Sequence, residues 1–221
     1  MSYFYYPSGE IINKDIFLDF YSKSYYLTAN HEVETLITQL IGKETYSETD
    51  VFRIIAWKTG NILSFKSKEN AIKYKEGWIE ETLSGYIYGY ILNIKELTKM
   101  INETPAKPEE FLSKIAPCKV LSKKGVSKAL GNVYAITFLY FKSNGSCPFY
   151  DSFAQKAITA IANKKAPPYK IENPSYDFSS FKSIYYAFCS EVKAVFPDYS
   201  SHHRRIDQAL WVYGHMFQNG L

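Results

Sequence analysis

Apolar residues recur along this chain three and four positions apart, with a capping residue before most runs and glycine or proline after them. Val33, Leu36, Ile37, Leu40 and Ile41 fall on one helix face, with Asn30 ahead of them as an N-cap and Gly42 closing the segment. Ser47 precedes a second run of Val51, Ile54 and Ile55, ended by Gly60, and Asp50 at its third position makes a near capping box. Pro108 suits the first turn of a helix that carries Phe111, Leu112 and Ile115 as far as Pro117. From Gly131 to Phe141 the residues are apolar almost without interruption, which predicts a helix buried on all sides. Asp151 or Ser152 caps the next helix, running through Phe153, Ala154, Ala157, Ile158 and Ile161, and two longer amphipathic helices, 178–195 and 201–217, close the chain. Residues 86–92, Tyr-Ile-Tyr-Gly-Tyr-Ile-Leu, have a strand-like composition but poor alternation, and they run into a helical pattern, so they are read as helix. The proline-bearing stretches 102–108 and 165–177 read as connections. No internal repeat interrupts this order, and the expected fold class is all-α.

Composition narrows the class. The 221 residues suffice for one sizeable core, and 46% hydrophobic with 22% charged residues is the balance of a soluble globular protein. Aromatic residues reach 17%, chiefly 20 tyrosines, which points to a core built with tyrosine or to stacking on exposed bases. Cys118, Cys147 and Cys189 form no CxxC pair, so neither a zinc ribbon nor a disulfide framework is expected, and a reducing cytoplasm is the matching compartment. His202 and His203 are adjacent and would face different sides of a helix, so no shared metal is expected there, and no cofactor is implied. The N-terminus shows no basic leader followed by an apolar core. The longest apolar run, Val133 to Phe141, is about half of what a membrane span requires, so no membrane partner is expected.

Charge distribution says more than the net value of +4. Between Ser113 and Lys170 there are ten lysines and one acid, Asp151, while acids concentrate elsewhere. Clustering of one sign creates a local field that the net charge hides. Asp151 lies twenty residues after Gly131, and each stands at the start of an expected helix. A glycine-opened helix N-terminus offers amide donors and a favourable dipole to a phosphate. The combination suggests a phosphate-backbone binder with one acid kept for chemistry; a solvated basic face is the alternative. No glycine-rich nucleotide loop, Gly-x-Ser-x-Gly elbow or paired catalytic histidines occur, which leaves kinase, elbow-type hydrolase and dehydrogenase readings without a basis.

Ala129-Leu130-Gly131, then Ala135 four residues on, an apolar helix, Pro148-Phe149-Tyr150-Asp151 and a further helix make a pattern of about forty residues, 117–158. It resembles the hairpin and following helix of the helix–hairpin–helix DNA glycosylases, with a glycine-to-aspartate spacing similar to that of the adenine-glycosylase branch. Gly131 matches the second hairpin glycine, Ala135 the helix alanine, Pro148 the proline and Asp151 the catalytic aspartate. Ala129 replaces the first hairpin glycine. The Schiff-base lysine of bifunctional members would fall at Val133, which has no amine. The resemblance therefore implies a monofunctional enzyme that uses water and does not cut the strand.

Under that resemblance the expected organisation is a single helical domain over residues 1–221, its terminal helices packed around a hairpin-containing core at about 108–165. DNA is the expected partner, gripped by Leu130, Gly131, Asn132, Lys123, Lys124, Lys128 and Lys156, with the protein acting as a monomer and Asp151 stabilising the sugar's developing charge beneath a flipped base. Asp151 also reads as a plain N-cap, a role compatible with catalysis. Two rivals stay open: a relative that grips DNA without chemistry, and a helical protein-interaction module. Elsewhere Phe149, Tyr150, Trp57 and Trp211 read as core anchors and Lys58 as a helix C-terminal cation, while Arg204 and Arg205 have either phosphate or nearby aspartates as partners.

Overall fold

The computed structural model describes residues 3–27, 29, 31–58, 94–121, 127–167 and 181–217. Among these the chain is mostly helical, in keeping with the all-α expectation, with nine helices and two short antiparallel ribbons. Where one domain is expected, the residues cluster in two compact units: Met1–Thr28 with Gly145–Leu221, and Ala29–Asn144.

The unit formed by the two chain ends begins with a ribbon, β1 (Phe4–Tyr5) against β2 (Ile11–Ile12), followed by α1 (Lys14–Tyr25). Asn13 caps α1 by accepting the Ile16 N–H at 2.9 Å. This unit also holds α7 (Ser152–Ala162), α8 (Phe181–Val195) and α9 (Tyr199–His215), the last kinked at His202. Helix α9 packs against both α1 and α7. The core between α1 and α9 is aromatic: Phe17 and Tyr21 each lie 5.1 Å from the Tyr213 ring. Buried hydroxyls need partners, and two in this core find carbonyls. Tyr21 donates to Tyr5 O at 2.8 Å and Tyr213 to Lys165 O at 3.3 Å. Tyr21, Tyr150, Tyr185, Tyr199 and Tyr213 are all fully buried, so much of the tyrosine excess is core.

In the second unit, α2 (His31–Thr38) and α3 (Glu48–Lys58) precede α4 (Ile94–Glu103) and α5 (Pro108–Ile115). Asn30, Gly60 and the 86–92 segment lie outside the described residues. The near capping box at α3 is a true one: Ser47 N–H donates to Asp50 Oδ2 at 2.8 Å, and Asp50 N–H to Ser47 Oγ at 3.2 Å. Pro108 occupies the first turn of α5, where its missing N–H has no partner to lose. Helix α6 (Asn132–Lys142) is buried continuously from Ala135 to Phe141 and packs against α5 and α3. Lys142 at its end donates to the carbonyls of Ile101 and Asn102 at 2.6 and 2.5 Å, satisfying the open C-terminus of α4. Trp57 is a core anchor, as expected; its indole N–H reaches Glu34 Oε1 at 2.9 Å.

Between α5 and α6 the structure departs from a tight turn joining two helices. Residues here form an antiparallel ribbon, β3 (Lys119–Leu121) with β4 (Ser127–Ala129), in the register Lys119 to Ala129 and Leu121 to Ser127. The sequence accounts for it: Lys-Val-Leu and Ser-Lys-Ala are separated by five residues that include Gly125, the spacing and composition of a short hairpin.

Candidate functional site

The residues expected to meet DNA divide between the two units. Leu130, Gly131 and Asn132 follow β4 and open α6 in the Ala29–Asn144 unit, whereas Asp151 and Lys156 belong to α7 and its cap in the other.

Gly131 is the N-cap of α6, at φ 92° and ψ 160°, a region that side chains other than hydrogen rarely adopt. A Cβ placed there would meet no atom within 4 Å, so glycine is required by the backbone angle and not by crowding. No side chain caps the helix and no acid occupies its first turn, leaving the dipole end open to an anion. The hairpin amides themselves are engaged: Leu130 N–H donates to Cys118 O at 2.7 Å and Gly131 N–H to Ala116 O at 2.9 Å. A phosphate would therefore be met by the first-turn amides of α6 and not by those of Leu130 and Gly131. The Leu130 side chain is buried. Lys128 lies in β4 opposite Val120, and Lys123 and Lys124 fall outside the described residues.

The Asp151 end is more elaborate. Asp151 Oδ1 accepts the N–H groups of Phe153 and Ala154 at 2.9 and 2.8 Å, so the acid is the N-cap of α7. Its approach is held from below. Tyr185 donates to Pro148 O at 3.1 Å, and Phe149 N–H donates to Tyr199 Oη at 3.4 Å, which itself donates to buried Asp207 at 2.7 Å. Tyr150 is sealed among Phe181, Tyr185 and Phe188, its ring within 5.1 to 6.2 Å of each. The loop thus fixes the acid through three consecutive neighbours, while Asp151 itself keeps partial exposure.

Around it stand groups that only the folded chain brings together. Phe153 stacks on His215 with ring centroids 3.5 Å apart and planes 16° from parallel, and the Trp211 ring lies 3.9 Å from that of His215, tilted by 51°. Burial lowers the His215 pKa from the ordinary histidine value; the Trp211 carbonyl and the Asp151 carboxylate act against that, and the Lys156 charge acts with it. Lys156 is 4% exposed, which leaves it little surface for a phosphate contact; its charge acts on His215. Trp211 and His215 have helical i, i+4 spacing, a signal legible in advance, but nothing in sequence joins them to Phe153. Beside them Arg204 donates to Tyr25 Oη at 3.3 Å and lies over the Tyr25 ring, and Arg205 pairs with Asp19 at 3.5 Å.

Asp151 lines neither of two clefts formed by described residues. One of about 630 Å³ runs along α1 past Ile16, Phe20 and Leu27, and one of about 390 Å³ lies beside Met100 and Cys118. No group of three or more His, Cys, Asp or Glu capable of holding a metal occurs among the described residues, and none of their helices is long and apolar enough to cross a membrane. In comparisons with known proteins, no protein family, no curated protein and no solved structure matches this chain.

Proposed function

We propose that the chain binds DNA in the manner of the helix–hairpin–helix glycosylases it resembles and hydrolyses the N-glycosidic bond of a flipped base. In this reading the first turn of α6 receives a backbone phosphate, with Lys123, Lys124 and Lys128 neutralising its neighbours. Asp151 stabilises the positive charge that grows on the sugar as the base departs. With valine at position 133 no Schiff base forms, and the strand is not cut.

One observation carries the reading: both ends of the motif, Gly131 and Asp151, are helix N-caps, the first without any side-chain cap and the second an anchored, partly exposed acid. The test pairs two measurements on Asp151→Asn. Base release is followed as alkali-labile sites in duplexes carrying a mismatched adenine, uracil or hypoxanthine, and binding as fluorescence anisotropy of the same duplexes. The expected outcome is loss of base release with binding unchanged or tighter, because a charge that repels phosphate has been removed. Collapse of binding together with the fold leaves Asp151 as a cap alone.

A second reading, DNA binding without chemistry, is favoured by one fact. Asp151 Oδ1 is already taken by two amide donors. It predicts binding by the unmodified protein with no base release from any duplex.

A further inference from the structure

His215 is built like a proton-transfer group. Its Nδ1 lies 2.7 Å from the Trp211 carbonyl oxygen. A carbonyl only accepts, so Nδ1 carries the hydrogen, and in the neutral ring Nε2 carries the lone pair. No described residue forms a hydrogen bond with Nε2. The ring cannot turn freely, since Phe153 covers one side at 3.5 Å and Trp211 lies within 3.9 Å. Phe153 is the second residue after Asp151, and its own N–H donates to the Asp151 carboxylate. The stack therefore ties the imidazole to the first turn that the acid caps. Among the described residues the charged groups acting on the ring are Asp151 and Lys156, both from α7 and its cap, and burial lowers its pKa from the ordinary histidine value.

We propose that His215 is the proton acceptor of the Asp151 site, its Nε2 taking a proton from the water that attacks the sugar. The inference rests on the glycosylase reading above. In the step, the water oxygen bonds to C1′, the C1′–N bond breaks with its electron pair leaving on the base, and one water proton passes to Nε2. The departing base nitrogen is protonated from solvent, and His215 later returns its proton to solvent. Asp151 supplies charge stabilisation alone, so charge stabilisation and proton transfer fall on two side chains.

The first measurement is nitrogen-15 NMR of the imidazoles in the full chain. The expected result is the Nδ1–H tautomer for His215, a titration midpoint below the usual histidine range, and a further downward move in Asp151→Asn, which removes a carboxylate that favours the imidazolium. An Nε2–H tautomer, or a midpoint indifferent to Asp151→Asn, overturns the proposal. The second is the pH profile of single-turnover base release for the unmodified protein and His215→Asn. Asparagine can still donate to the Trp211 carbonyl but has no group at the Nε2 position. Loss of at least about 100-fold in rate, with disappearance of the acid limb and unchanged binding of an abasic duplex, is expected. If the unmodified protein releases base and His215→Asn keeps both the rate and the acid limb, this proposal falls and the glycosylase reading stands. If the unmodified protein releases no base from any of the duplexes, the glycosylase reading itself falls.

Discussion

Gly214 of α9 faces the backbone of Phe153 so closely that a methyl group on it would come within 2.0 Å of the Phe153 carbonyl oxygen. The contact is backbone against backbone, so no flexible side chain can yield to relieve it. It sets the distance between α7 and α9 and, one residue on, the stacking of Phe153 on His215. Gly214→Ala is expected to cost about 2 kcal/mol or more in urea denaturation, as overpacking of a closed interface does. The near-ultraviolet signal of Trp211 should change with it. A variant as stable as the parent would mean that α7 and α9 can move apart without loss.

The Ser47–Asp50 box gives the other unit an acid-sensitive joint. Burial alone would push the Asp50 carboxyl up, but hydrogen bonds from Lys43 and from the N–H and hydroxyl of Ser47, with the Lys43 charge, outweigh it and hold the group below the ordinary aspartate value. A carboxyl depressed in the folded state contributes stability above its unfolded pKa and loses it as pH falls through the folded one. Unfolding free energy should therefore decline below about pH 4, and that part of the decline should be absent in Asp50→Asn. Ser47→Ala removes one half of the box and should cost about 1 kcal/mol at neutral pH.

These joints were legible because they are local. Ser47 with Asp50, Pro108 and Asp151 each act within one turn of their own position, where residue type and spacing carry the whole cause. The β3–β4 ribbon was not read because strands of three residues are too short for alternation to register against the helical signal on either side. Nor does composition mark a break where the contacts divide the chain at Asn144, because the C-terminal helices return to α1 across more than a hundred intervening residues. The same reason hid the Phe153–His215 stack. Asp151 was visible as a lone acid among lysines, but its neighbours arrive from 60 and 64 residues away and only packing brings them.

Gly131 allows strain to be separated from crowding. Its φ of 92° disfavours any side chain, while the space around it is open. Gly131→Ala is expected to destabilise by about 1–3 kcal/mol through backbone angle alone, somewhat offset by the lower entropy of the unfolded alanine chain. Its crystal or NMR structure should show the turn unmoved at the neighbouring Leu130 N–H bond to Cys118 O. A neutral change in stability would show that this turn relaxes to negative φ.

Asp151 combines a structural and a charge role, and two substitutions separate them. Asparagine caps helices about as well as aspartate, so Asp151→Asn should leave thermal stability within a few tenths of a kcal/mol, whereas Asp151→Ala, which strands the Phe153 and Ala154 amides, should cost about 1 kcal/mol. Equal losses in the two variants would assign the stabilisation to the charge at the helix dipole.

Lys123 and Lys124 test whether the basic window from Ser113 to Lys170, with ten lysines and one acid, is a face for DNA. Each phosphate neutralised releases counterions, so binding through these side chains must weaken as salt rises. The double change of Lys123 and Lys124 to Glu should lower affinity for duplex DNA at every sequence and flatten the slope of log affinity against log salt by about 1 per lost phosphate contact. Affinity and slope measured by anisotropy across a salt series decide it: an unchanged slope would remove these lysines from the interface and leave the α6 N-terminus without cationic support on that side.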